Sequence, residues 1–322
     1  MPLSFLDITV LSPPSDASAN ANLQYNISTA SAEWVSAGGG GPVSGYTSGG
    51  FAPGPTRLNT IDKFLFASNG NATDVGDLTQ GRYNPAGQSS SVSGYSSGGN
   101  APPFVNTIDK FPFSIDSSAS DVGDLTSPRD GAAGQSSSTS GYSSGGSTPG
   151  IVNTIDKFSF STDGNASDVG DISEARRLSA GQSSSSSGYS SGGNPGSRAT
   201  IDKFPFSSDG NATDVGDLSL ARFYVAGQSS STNGYASGGV QINTIDKFPF
   251  SSDANATDVG DLTQARSASA GQSSSVSGYS SGGGTPSGSA TTIDKFPFAA
   301  DANASDVGDL SQSRQRAAGQ QG

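Results

Sequence analysis

The stretch Ile245-Asp246-Lys247-Phe248-Pro249-Phe250, followed by Asp253-Ala254-Asn255-Ala256-Thr257-Asp258-Val259-Gly260-Asp261-Leu262 and closed by Arg266, decides how this chain must be read. Downstream of it run Ala270-Gly271-Gln272, a serine run, and Gly278-Tyr279-Ser280-Ser281-Gly282-Gly283. The tetrapeptide Ile-Asp-Lys-Phe recurs at Ile61, Ile108, Ile155, Ile201, Ile245 and Ile293, in steps of 47, 47, 46, 44 and 48 residues. Six copies of one unit therefore fill nearly everything after residue 44. A unit repeating at this period buries its faces against its neighbours, as in a solenoid, a propeller or an array.

The unit is made of strands. No window places apolar residues at three-and-four spacing, while Gly, Ser, Asn and β-branched residues recur every few positions. Four short strands fit each copy: Ala-Gly-Gln-Ser, Ser-Gly-Tyr-Ser-Ser, Asn-Thr-Ile-Asp-Lys-Phe-x-Phe and Asp-Val-Gly-Asp-Leu. Four strands in about 47 residues make a propeller blade. The third strand alternates, with Asp62, Phe64 and Phe66 on one face and Ile61 and Lys63 on the other, so its phenylalanines can pack between blades. Pro112, Pro205, Pro249 and Pro297 fall inside that strand, where a lost N–H would break a central ladder; the strand must bulge or end there. Small residues in the first strand suit the crowded neighbourhood of a propeller axis. The last copy stops at Ala317-Ala318-Gly319-Gln320-Gln321-Gly322, where a first strand belongs, and the first copy opens at Val43-Ser44-Gly45-Tyr46, where a second strand belongs. The expectation is an all-β, six-bladed propeller over residues 42–322, closed by its C-terminal strand so that no sheet edge stays open.

Composition narrows the function. The 322 residues are 31% hydrophobic with 45 Gly and 17 Pro, which alone would suggest low complexity, but a net charge of −12 is too small to keep a chain of this length expanded. An acidic chain without clustered Lys and Arg is not suited to a phosphate backbone, so nucleic acid is not expected as a partner. With no His and no Cys, the commonest general base, the commonest zinc ligand and the thiol nucleophile are all missing. Met1 to Val10 lacks the basic start and continuous apolar run of a signal peptide, and no apolar run approaches the ~20 residues that cross a bilayer. Secretion by that route and membrane insertion are not expected.

The order Gly-Gly, Ile-Asp-Lys-Phe-x-Phe, Asp-Val-Gly-Asp-Leu, Ala-Arg resembles the kelch repeat in all six copies. Val75, Val122, Val169, Val215, Val259 and Val307 stand where kelch repeats carry a tryptophan. Ser207-Ser208-Asp209-Gly210-Asn211-Ala212-Thr213 resembles the Asp-box hairpin of sialidase-type propellers, with Asn where Gly is usual. At a finer level, the tandem Thr-Ile-Asp-Lys-Phe-Pro-Phe, Asn-Ala-Thr-Asp-Val-Gly-Asp-Leu and Ala-Gly-Gln-Ser-Ser-Ser peptides are similar to repeats in virion proteins of marine tailed phages, cyanophages among them. That resemblance implies a structural or host-contact protein localised to the virion, such as a tail fibre, head fibre or decoration. The alternative is a free carbohydrate-binding lectin, with a glycosidase a more remote third.

Several polar patterns have structural readings beside functional ones. Asp253, Asn255, Thr257, Asp258 and Asp261 lie at roughly the spacing of a calcium loop, but without its Gly and terminal Glu, and Asp and Asn commonly cap their own backbone in a tight hairpin. No metal or cofactor is expected. One arginine per copy (Arg82, Arg129, Arg176, Arg222, Arg266, Arg314) can form an anion-binding ring, or pair with the Asp residues nearby in its own copy to staple the blades. A sialidase needs an Arg cluster with a Tyr/Glu pair, yet the only glutamates are Glu33 and Glu174. Nothing singles out one Asp pair for acid–base work, so no catalytic residue is expected.

How the copies differ is more informative. One variable stretch lies between Gly-Gly and Thr-Ile (FAPGPTRLN, NAPPFVN, STPGIVN, NPGSRA, VQIN, GTPSGSAT), the other just after the repeat arginine (YNP, DGA, RLS, FYV, SAS, QRA). In a four-stranded meander both emerge on the same side of the disc. That side would expose Phe51, Arg57, Tyr83, Phe104, Arg177, Arg198, Phe223 and Tyr224, the residue types that anchor recognition surfaces, with aromatic faces suited to sugar rings such as those of host-surface glycan; the plain alternative is drift in unconstrained loops. Residues 1–41 stand outside the repeat, carry Trp34 and end in Gly38-Gly39-Gly40-Gly41, a flexible joint. They read as an attachment arm in which Leu3, Phe5, Ile8, Val10 and Leu11 form a strand or plug docking on another virion protein by strand addition, or as a cap on the ring itself.

Overall fold

The computed structural model describes residues 21–26, 31–36, 43–54 and 56–322. The chain divides into two units, Met1–Gly41 and residues 42–322. In the first, strands Ala21–Asn26 and Ser31–Ser36 form an antiparallel hairpin with Leu23 opposite Trp34, an element the sequence reading did not anticipate. Leu3, Phe5, Ile8, Val10 and Leu11 lie outside the described residues.

The second unit is a β-propeller of six four-stranded antiparallel sheets. Blade 2 is representative, with strands Ala86–Ser89, Ser93–Ser97, Thr107–Pro112 and Ser120–Asp124 running from the axis to the rim. Blade 1 combines Ala318–Gln321 with Ser44–Ser48, Thr60–Leu65 and Thr73–Asp77, so the C-terminal strand is its innermost. In blade 2 the hairpin between the first two strands is tied by Ser90 N–H to Ser93 O at 2.9 Å; across the seam, Gly322 N–H to Ser44 O at 3.0 Å makes the same bond without a covalent link.

The third strand does end at its proline. Phe113 N–H donates to Val92 O, just before the second strand, so by alternation the N–H missing at Pro112 would point to the opposite edge, where pairing with the fourth strand has already stopped at Lys110 and Ser120. Between third and fourth strands the register slips by one residue, as between Ile61–Gly76 and Asp62–Asp74. This bulge sits at Val-Gly because the next blade's loop crosses there: a Cβ on Gly76 would lie 2.6 Å from the Ser117 carbonyl carbon.

Packing between blades follows the alternation of the third strand. Tyr46, Ile61 and Leu78 of blade 1 bury against Phe111 of blade 2, with Phe113 packed alongside; Tyr279, Ile293 and Leu310 of blade 6 do the same against Phe64 and Phe66 of blade 1. Ring centroids of Tyr46 and Phe113 are 4.9 Å apart. Each fully buried Phe contributes about 1.5–3 kcal/mol by burial, and an aromatic pair ~0.5–1.5 kcal/mol more.

The polar residues of the repeat link each blade to the next. Every repeat arginine is buried, but its carboxylate comes from the following copy rather than its own: Arg82 with Asp109, Arg129 with Asp156, Arg176 with Asp202, Arg222 with Asp246, Arg266 with Asp294 and Arg314 with Asp62. The matching buried aspartate of its own copy is already paired with the arginine of the preceding copy, as Asp109 of the Arg129 copy is with Arg82. Asp109 also accepts Thr79 N–H at 2.9 Å and Thr79 Oγ1 at 2.8 Å, which makes a fully buried carboxylate tolerable. Near the axis, Gln88 Nε2 donates to Ser97 Oγ in its own blade and to Tyr142 O in the next, both at 2.9 Å. At the rim Lys63 reaches Asp116 at 2.9 Å.

The first strands crowd as expected. A Cβ on Gly134 would stand 2.1 Å from Gly87 O, and the same clash recurs from blade to blade. At one end of the axis the N–H of Ser89 donates to Ser136 Oγ, and the relay continues through Ser183, Ser229, Ser273 and Gln321 back to Ser89.

Candidate functional site

At the other end of the axis lies a second closed circle, built from the residue two places after each repeat arginine. Gly131 N–H donates to Asn84 O, Leu178 to Gly131, Tyr224 to Leu178, Ala268 to Tyr224, Arg316 to Ala268 and Asn84 to Arg316, at 2.6 to 2.9 Å. Five of these six are not glycine, yet all are left-handed, with φ from 53° at Asn84 to 67° at Gly131. Such a conformation costs a non-glycine residue roughly 1–2 kcal/mol, and it persists here because only that turn aims each N–H at the neighbouring blade's carbonyl. Strain of this kind concentrates at functional sites. Its effect is to hold five copy-specific side chains, and the bare backbone of Gly131, around the mouth of the axis.

Both variable stretches lie on this face and pair with each other across blades. Phe51 bridges to Gln315, Tyr83 to Asn100, Asp130 to Ser147, Arg177 to Asn194 and Ser267 to Gly284. Phe51, Arg57, Tyr83, Phe104, Arg177, Arg198, Phe223 and Tyr224 are half-buried rather than fully exposed, because this pairing folds the loops down onto the disc. Phe51 meets Tyr83 edge-on at 5.4 Å, Arg57 sits 5.6 Å from the Tyr83 ring, and Phe223 packs on Tyr224 at 5.3 Å. Two of the eight stand apart. Arg198 pairs with Glu174 at 3.3 Å, and Phe104, bridged to Asn100, takes part in no aromatic or cation–π contact among the described residues.

Three further residues complete the cluster. Arg316 lies 5.5 Å from the Tyr83 ring and 5.2 Å from the Tyr224 ring, spanning the mouth between tyrosines of different blades. Asn84 Nδ2 donates to Asp130 Oδ2 at 3.1 Å. Asp130 is only 5% exposed; burial raises its pKa, opposed by the Asn84 hydrogen bond and by the charges of Arg177 and Arg316. Burial likewise raises the Tyr224 pKa, against the same two arginines. Asn84, Leu178, Tyr224, Val225 and Arg316 line a cavity of about 80 Å³ at the mouth. Asn84, Asp130 and Arg316 all fall within the variable triplets after the repeat arginine, so position, rather than residue type, was the signal for finding them.

Three of the five calcium-like side chains are committed to other partners. Asp253 holds Lys203 at 2.9 Å, and Asn255 Oδ1 accepts Asp217 N–H at 3.0 Å, both in the preceding blade. Asp258 Oδ1 caps Gly260 N–H in its own strand. The loop thus does cap its own backbone in part, while its first two ligands serve the neighbour. Among the described residues no group of three or more acidic side chains is placed to hold a metal ion.

These features define a six-bladed β-propeller with one individualised face on an otherwise repetitive scaffold. No protein-family model matches the chain, and no curated protein is similar to it.

Proposed function

We propose that the chain is a non-catalytic recognition propeller, displayed on a phage particle, whose individualised face contacts glycan on the host surface. The observation that carries this reading is the convergence of copy-specific aromatic and arginine side chains at one axial mouth. Elsewhere the copies largely repeat the same bonds, with most of the repeat's polar groups consumed in joining blades. A catalytic centre needs an asymmetric set of acid, base and stabilising groups, and among the described residues the mouth offers one carboxylate, Asp130. The virion role rests on the resemblance of the repeat peptides to phage virion proteins, with the N-terminal unit as the means of attachment to other virion proteins and no membrane insertion.

Two measurements test it. The labelled full-length chain should bind a glycan array and intact host cells without hydrolysing what it binds. The variant Tyr83→Ser/Tyr224→Ala, which copies the fifth repeat's Ser267 and Ala268 into two mouth positions, should bind neither while melting like the parent. Antibody against the chain should decorate purified particles in micrographs. Binding that survives the double variant would place recognition elsewhere, and undecorated particles would remove the virion role.

A further inference from the structure

The chain has ten arginines. The six repeat arginines each have a buried aspartate, and Arg198 has Glu174. The remaining three, Arg57, Arg177 and Arg316, have no carboxylate within ion-pairing distance among the described residues, and all three belong to the axial mouth. They gather in a protein with 28 acidic residues against 16 basic ones, where counter-charges are plentiful. Arg57 and Arg316 flank the same Tyr83 ring, while Arg177 and Arg316 both act on Asp130 and on Tyr224. Among the described residues the only carboxylate in their midst is Asp130, and it is buried and turned toward Asn84. Three cations around one buried carboxylate that none of them reaches as an ion pair are an unbalanced arrangement, and an incoming anion would relieve it.

We infer that the mouth binds the acid group of an anionic saccharide, with Arg57, Arg177 and Arg316 as its counter-charges. This rests on the glycan-recognition reading above and names the class of sugar. Arg57 and Arg316 lie over tyrosine rings, and the Nε atoms of Arg57, Arg177 and Arg316 are buried without a hydrogen-bond partner, so guanidinium N–H groups remain to be met by a carboxylate, sulfate or phosphate ester. The cavity of about 80 Å³ has room for an acid group or a few waters. The sugar ring itself then lies across the rim, where Phe51, Tyr83, Phe223 and Tyr224 present apolar surface. A nucleic acid fits less well, because a phosphodiester backbone is gripped by many cations along a track and the rest of this protein is acidic.

The test uses the full-length chain against saccharides bearing a carboxylate, a sulfate ester or a phosphate ester, each beside its uncharged counterpart (methyl ester, desulfated or dephosphorylated), with a thymidine oligonucleotide as the non-sugar polyanion. At least one acidic saccharide should bind about tenfold or more tighter than its neutral partner, and Arg177→Gln or Arg316→Gln should each lose about that factor. Asp130→Asn should bind more tightly than the parent, a gain that damage to the fold would not produce. All three variants should melt as the parent does. Equal binding of acidic and neutral partners, indifference to the arginine variants, or equal binding of the oligonucleotide overturns the inference and leaves sugar recognition standing in the first two cases. Silence towards every saccharide and towards host cells removes both.

Discussion

Removing Ala318–Gly322 is expected to abolish cooperative folding of the ring, although it takes away only the end of the chain. The segment supplies the innermost strand of blade 1, paired with Ser44–Ser48 from Ser48–Ala318 to Gly45–Gln321. Beyond that ladder, Gly322 N–H donates to Ser44 O, Val43 and Ser44 N–H donate to Gly322 O, Gln320 Nε2 donates to Ser48 Oγ and Tyr95 O, and Gln321 N–H donates to Ser89 Oγ. At ~1 kcal/mol net per bond, these six alone amount to about 6 kcal/mol, comparable with the whole stability of an ordinary domain at ~5–15 kcal/mol. At roughly 1.5 °C per kcal/mol for a chain of this size, the melting temperature should fall by about 9 °C if any cooperative transition survives. Circular dichroism melts and limited proteolysis read the outcome. A circular permutant that joins Gly322 to Val43 through one residue and opens at the exposed Ser68–Asn69 turn serves as control. It makes the seam hairpin covalent, as in the other blades, and should melt at or above the parent. A truncated chain melting in one sharp transition within ~2 °C of the parent would refute the claim that this strand closes the ring.

Breaking a buried staple by Asp156→Asn should cost ~3–5 kcal/mol in urea denaturation, whereas the double replacement Arg129→Met/Asp156→Leu should cost far less or nothing, because no charge is left stranded. Lys295 is the one rim lysine whose neighbour offers Asn69 where the other copies offer aspartate. Asn69→Asp should add at most ~1 kcal/mol, and 1 M salt should erase the gain. Stability should fall above about pH 10. Hydrogen bonds to Asp116 and Asp163 raise the Lys63 and Lys110 pKa values, and burial raises those of Tyr46 and Tyr95. In every case the folded state holds its proton longer than the unfolded one, so the contribution is complete below the unfolded pKa and is lost as pH rises through the folded one. A pH titration of the urea midpoint that stays flat to pH 11 would contradict these contacts.

Sequence alone determined the repeat, its strands and the ring. Ile61 and Phe64 fall on opposite faces because strands alternate with period two, and a period of about 47 residues with complementary ends leaves little besides a closed propeller. It also determined which loops share a face, since that follows from the meander. Which side chains meet was decided only by tertiary structure. The partner of Arg82 is Asp109 and not an aspartate of its own copy, because the arginine reaches forward across the blade interface. The mouth assembles Tyr83, Asp130, Arg177, Tyr224 and Arg316 from five different repeats; their spacing by the repeat period puts them on one face, but which of them touch is set only by the closed ring. Arg316 looks like any other loop residue until the circle of left-handed turns places it between two tyrosines. A repeat encodes the contacts it makes with an identical neighbour, whereas the asymmetric contacts that individualise one face depend on the angle at which the ring closes.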